Sequence, residues 1–169
     1  MISPLRVVFI ASEAASFAKT GGLADVADSL PEALRRLNVD IRVVLPGYRQ
    51  VFEHGLRHEL ACPNLHTWLG TQCLTFQVRK LLVENDAPIY VIDREDMFDL
   101  PHLYGDGDGD YYDNAERFIF FLSRRCLAGA FLGFYPRCDP LQRLAYRSDS
   151  FVYAIWTGVS SIQNPFYGT

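Results

Sequence analysis

Apolar residues fall into several stretches, some continuous and some periodic. Residues 5–12, LRVVFIAS, form an unbroken β-rich run, the pattern of a strand buried on both faces of a parallel sheet. A loop is expected from Glu13 to Gly22. Leu23, Val26, Ala27, Leu30, Leu34 and Leu37 then recur at helical spacing. Pro31 should kink that helix or begin its second half. DIRVVLPGY, residues 40–48, reads as a second buried strand. The order strand, loop, helix, strand opens a doubly wound α/β sheet. Further on, LTFQVRKLLVE alternates in part and reads as an antiparallel excursion, and APIYVID (residues 87–93) is another strand. NAERFIFFLSRRCLAGAFL, residues 114–132, returns to helical period. From Arg137 onward no period extends beyond one short strand, FVYAIW (residues 151–156).

Composition narrows the classes. The 169 residues are 49% hydrophobic and 21% charged, which suits a globular chain and argues against disorder. A net charge of -4 offers no basic field for nucleic acid or an anionic membrane. No apolar run reaches the length of a membrane span, and Glu13 interrupts the N-terminal run too early for a signal peptide. Cys62, Cys73, Cys126 and Cys138 form no C-x-x-C pair, so they read as reduced thiols of a cytoplasmic protein.

The candidate chemistry lies in FAKTGGLADVA. Lys19 and Thr20 precede Gly21 and Gly22, and a helix follows at once. A helix N-terminus carries unpaired N–H groups and a partial positive charge. Glycines let backbone approach a phosphate closely, and a lysine adds a full charge. A diphosphate cradle and a glycine turn beside a solvated lysine both fit this spacing. A P-loop is excluded, because its Lys-Thr follows the glycines. A dinucleotide fingerprint is excluded too, because the second strand ends in Pro46-Gly47-Tyr48 with no acid for a ribose.

KTGGLADV after a strand ending in SE resembles the opening of bacterial glycogen synthases and plant starch synthases. The similarity continues in LPEALRRLNVDIRVVLPGY and in LYGDGDGDYYDNAERFIFF, and spans about residues 5–136. This resemblance implies an incomplete Rossmann-like doubly wound sheet, the N-terminal half of a GT-B fold, with a partly antiparallel excursion. It implies transfer of glucose from ADP-glucose to the non-reducing end of an α-1,4-glucan, with retention and without a cofactor or metal. It gives Lys19 a nucleotide-sugar contact, sets the amides of Gly21 and Gly22 near the phosphates, and puts Asp25 near the glucosyl or glucan site. Departing ADP is an anion, which lysine, arginine and helix N-termini would meet. Two rival readings are a non-catalytic nucleotide- or glucan-binding α/β module and a small α/β enzyme of another type. The latter would need a second catalytic group near Lys19, and none is evident.

Other features carry less. Asp106, Asp108 and Asp110 resemble part of a calcium loop, yet Tyr111 and Arg117 occupy its glycine and glutamate positions. A mobile surface loop is the expectation there. His54, His58, His66 and His102 are assigned no catalytic role, and Arg124 and Arg125 read as a solvated helix face.

The last segment departs from the family. Codons for Arg137–Ser150 can be chosen so that the next frame reads Asp-Val-Ile-His-Cys-Asn-Asp-Trp-His-Thr-Gly-Leu-Ile, the family's own continuation. Codons for Ile162–Thr169 can likewise read Phe-Lys-Thr-Leu-Phe-Thr-Val-His-Asn. A frame change near Tyr135 or Pro136 is therefore expected. Residues 1–136 would be a partial N-terminal, glucan-side domain and 137–169 an out-of-frame tail. Such a truncated fragment would lack a core strand of the sheet, aggregate readily and be inactive.

Overall fold

The computed structural model describes residues 5–83, 87–123 and 151–156. In chain order the elements are β1 (Arg6–Ala11), α1 (Leu23–Arg36), β2 (Asp40–Pro46), α2 (Arg49–Glu53), β3 (His58–Leu69), β4 (Gln72–Leu81), β5 (Ile89–Asp93), α3 (Glu95–Phe98), β6 (Gly105–Asp106), β7 (Gly109–Asp110), α4 (Asn114–Phe121) and β8 (Phe151–Trp156). Six strands form one sheet in the order β3-β4-β5-β2-β1-β8. β1 pairs in parallel with β2 and β8, and β2 in parallel with β5. β4 runs antiparallel to both β5 and β3.

The apolar runs become the central strands because both faces are covered. Val8, Ile10, Val44, Val91 and Ile92 are fully buried. On α1, Ala24, Ala27 and Pro31 turn inward. The helix continues through Pro31 as a single element instead of breaking there. It ends where Asn38 enters the left-handed region at φ 62 and donates to Arg35 O at 2.9 Å. Asp25 in its first turn and Arg35 and Arg36 in its last both complement the helix dipole. The helix expected from Asn114 is observed to Phe121; the rest of that stretch, Arg124 and Arg125 included, lies outside the described residues.

Aromatic rings fill the space between the sheet and the α3–α4 region. Phe98 lies 5.7 Å from Tyr48 and 6.4 Å from Phe118, and Phe120 lies 5.6 Å from Phe76. Arg117 sits wholly buried among them. Its three hydrogen-bond partners are uncharged: Met97 O at 2.6 Å, Asn114 Oδ1 at 2.7 Å and Leu103 O at 3.1 Å. The faces of Phe98, Tyr111 and Phe118 surround the guanidinium at 5.3–5.6 Å. Burial lowers its pKa, while the surrounding tyrosines and Asp113 act in the opposite direction.

One expectation needs correction. The Asp-Gly repeat is not a simple surface loop: β6 and β7 pair as a minimal hairpin, with Asp108 N–H donating to Asp106 Oδ1 at 3.0 Å. Gly105 has no room for a side chain there, since a Cβ would collide with Gly109 O. β3 was not anticipated at all. FVYAIW, expected as a short strand, is β8 and pairs with β1 from Arg6↔Phe151 to Ala11↔Trp156. Parallel pairing runs through backbone groups, and a β-branched, aromatic segment suffices to supply them. The rest of the tail lies outside the described residues. Cys62 is buried and Cys73 exposed.

Candidate functional site

The candidate loop leaves the carboxyl end of β1, which lies between β2 and the margin strand β8. From β1, successive strands extend outward through β2 and β5 on one side, while β8 lies on the other. The direction of growth reverses at β1. In open α/β sheets, ligands bind beyond the strand carboxyl ends at such a reversal.

The loop is held at many points. Ala14 and Ala18 exchange backbone hydrogen bonds at 3.0 and 2.7 Å, and Ala15 N–H donates to Ala24 O at 3.1 Å. Asp28 Oδ2 accepts from Ser16 N–H at 2.8 Å and from Ser16 Oγ at 2.6 Å. His54 Nε2 lies 3.2 Å from Phe17 O, so this histidine braces the loop from the end of α2.

Glu13 forms the inner anchor and is only 3% exposed. Its Oε2 accepts from the amides of Thr20 at 2.9 Å and Gly21 at 3.2 Å. Its Oε1 accepts from the Thr20 hydroxyl at 2.7 Å and the Tyr104 hydroxyl at 2.8 Å. The Tyr104 oxygen also lies 2.9 Å from Ser12 Oγ. Burial pushes the Glu13 carboxyl up, but the donors from Thr20, Tyr104 and Gly21 together outweigh it, and the net pKa falls below the ordinary value. Burial and the Glu13 charge raise the Tyr104 phenol, which stays protonated. Sequence reasoning missed Glu13 and Tyr104 as site-building residues. They are 91 positions apart, and only the fold brings them together.

The four sequence-derived residues occupy the outer side of this loop. Lys19 Nζ meets Asp25 Oδ1 at 2.6 Å, with the side chains 47% and 61% exposed. An exposed pair of this kind contributes about 0–1 kcal/mol, so an incoming charged group can displace it. A cation at a helix N-terminus is otherwise repelled by the dipole. Here Asp25, in the first turn of α1, offsets that repulsion. A Cβ on Gly21 or Gly22 would meet nothing within 4 Å, and Gly22 has an ordinary φ of -70. The fold therefore does not require glycine at either position. Gly21 spends its amide on Glu13, which leaves its open Cα face to the outside.

A small cavity of about 80 Å³ lies under the loop itself, lined by Ala14, Ser16, Phe17 and Asp28 among others. A cavity of about 410 Å³ is lined by Gly47, Arg49, His58, Arg79, Asp93 and Asp99 among others, none from the Lys19 loop. Among the described residues no three His, Cys, Asp or Glu side chains converge as a metal site, and no helix is long and apolar enough to cross a membrane.

Residues 6–133 match the family described as the starch synthase catalytic domain. The chain is 38% identical over 135 residues to the glycogen synthase of Photobacterium profundum, covering 79% of this chain and 26% of that protein. It is 40% identical over 134 residues to the glycogen synthase of Syntrophotalea carbinolica, covering 78% and 27%. A solved structure, the catalytic domain of Starch Synthase IV from Arabidopsis thaliana bound to ADP and acarbose, aligns with a TM-score of 0.59 at 26% identity. That alignment covers 78% of this chain and 26% of the other. The chain thus spans about a quarter of the length of the relatives it matches. Its mixed sheet corresponds to part of the GT-B glycosyltransferase fold. The loop at the head of α1, the sheet that carries it and the match over residues 6–133 together establish that this chain belongs to the starch synthase catalytic domain family.

Proposed function

We propose that the chain carries the donor-loop wall of an α-glucan synthase. In the intact enzyme, glucose passes from ADP-glucose to the non-reducing end of an α-1,4-glucan with retention. Lys19 faces the nucleotide-sugar diphosphate, the open faces of Gly21 and Gly22 admit it, and Asp25 lies toward the glucosyl or glucan group. When the glycosidic bond to the diphosphate breaks, negative charge gathers on the departing ADP. Lys19 and the α1 N-terminus stabilise that charge. Before donor arrives, Asp25 holds Lys19; the incoming diphosphate replaces that carboxylate.

The single observation that carries this reading is the exposed Lys19–Asp25 pair at the α1 N-terminus, beside two glycines the fold does not need. A one-walled site contributes only part of the binding energy, so these 169 residues alone do not turn donor over. We further propose that residues 1–136 form the partial glucan-side domain and that 137–169 are read out of frame. The nucleotide sequence from codon 130 onward tests that proposal: codons unable to give the family text in the next frame reject it.

Binding tests the function. ADP, ADP-glucose, UDP-glucose and a maltooligosaccharide are titrated into the purified chain by calorimetry and by amide chemical shifts. The expected result is a weak, millimolar response to ADP and ADP-glucose, lost in Lys19→Ala, with no glucose released or transferred. A micromolar glucan or nucleotide affinity would instead identify a self-sufficient binding module. An ADP response unchanged in Lys19→Ala would remove Lys19 from the site.

A further inference from the structure

We propose that Glu13 is the positioning residue of the Lys19 loop: its buried carboxylate gathers Thr20 and Gly21 inward and so turns Lys19 and the glycine faces outward. The inference rests on the proposed function for what the outward face meets, but not for the positioning itself.

The geometry is specific. One carboxylate oxygen takes both backbone amides, and the other takes both hydroxyls. All four donors thus converge on a single side chain fixed just beyond the end of β1. A carboxylate offers about four acceptor positions, and this one is saturated. The backbone at Thr20–Gly21 has no other acceptor of comparable strength within the described residues. Without Glu13 those amides would turn to solvent, and the loop would lose the constraint that separates its inner and outer sides. Through Tyr104 the same carboxylate joins the loop to the segment that Arg117 and Asn114 hold, because Asn114 Nδ2 donates to Tyr104 O at 2.6 Å. The loop conformation is therefore coupled to the β6–β7 hairpin, which starts immediately after Tyr104.

Two substitutions separate positioning from bulk stability. Glu13→Gln keeps the shape. Its amide oxygen can accept from the Thr20 and Gly21 amides, while its NH2 donates to the two hydroxyls, which rotate to accept. Glu13→Ala removes every acceptor. Hydrogen exchange of the Thr20 and Gly21 amides is followed by NMR in the full 169-residue chain, with amides of β1 and β2 as controls, and ADP is the titrated probe. In Glu13→Ala the two loop amides exchange at least about tenfold faster while the β1 and β2 amides hold; in Glu13→Gln they stay protected. In the original chain the Gly21 amide shift follows protonation of the Glu13 carboxylate in the acid range; in Glu13→Gln that transition disappears. Should Glu13→Ala fail to fold, the lost transition in Glu13→Gln decides alone. Unchanged exchange in Glu13→Ala, or an intact acid transition in Glu13→Gln, overturns the proposal. The ADP arm reports separately. Released amides with undiminished ADP response also overturn it. Released amides in a chain that never responded to ADP uphold the positioning and count against the nucleotide-sugar reading instead.

Discussion

Replacing Arg117 by methionine tests whether the third sequence signature serves architecture or ligand. The substitution keeps most of the stem and removes the guanidinium. Met97 O, Leu103 O and Asn114 Oδ1 then lose donors now at 2.6–3.1 Å. An unsatisfied buried acceptor costs about 1–3 kcal/mol, so three place the loss at roughly 3–9 kcal/mol. Against this, removing a buried charge recovers a desolvation penalty of several kcal/mol. The aromatic faces return part of that penalty already, each contributing about 0.5–2 kcal/mol, so less is recovered than for a bare charge. The expected net loss is about 2–4 kcal/mol. Arg117→Lys keeps the charge, but one ammonium cannot span acceptors contributed by α3, the following loop and α4, and it falls in between. Urea unfolding followed by fluorescence gives the midpoint and slope, and an unchanged slope licenses the comparison. An Arg117→Met chain as stable as the original would refute the reasoning. The buried cation would then be retained for something other than holding these carbonyls.

Three further outcomes are expected. Gly21→Ala should leave stability unchanged or raise it by about 0.4–1 kcal/mol, since its Cβ meets nothing and the unfolded chain loses freedom; thermal unfolding and ADP titration together check it, and a loss of stability or an unaltered ADP response contradicts the site. Gly105→Ala should cost about 2 kcal/mol or more, because its Cβ collides with the Gly109 carbonyl; an unshifted melting temperature would show that the hairpin yields freely. The third concerns acid. The folded pKa of Glu13 is held below its unfolded value, so its contribution is present above the ordinary carboxylate range and is lost as pH falls through the folded pKa. Urea midpoints measured down the acid range should fall more steeply for the original chain than for Glu13→Gln, and parallel curves would contradict this.

Much of the sheet was legible because burial on both faces writes unbroken apolar runs: β1, β2 and β5 follow from residues alone, and α1 from its spacing. β3 was not legible. Its period is broken by register shifts between Leu60 and Cys62 and between Cys62 and Leu65, and Asn64 adopts φ 51. Side chains on the two sides of each irregularity no longer alternate in step. FVYAIW was legible as a strand but not as a neighbour of β1, since pairing partners are a property of the whole topology. Lys19, Gly21 and Gly22 stand out as a local pattern, and Asp25 only through the family resemblance. Glu13 does not, because a lone acid after a strand carries no local sign that four donors will meet it.

The irregularities in β3 have a wider consequence. β3 forms one margin of the sheet, and its kinked backbone, with Pro63 beside Asn64, presents an uneven row of amides to the outside. The interruption leaves Leu65–Leu69 as the longest regular run that a neighbouring molecule could pair with, so edge-to-edge polymerisation along that flank is hindered.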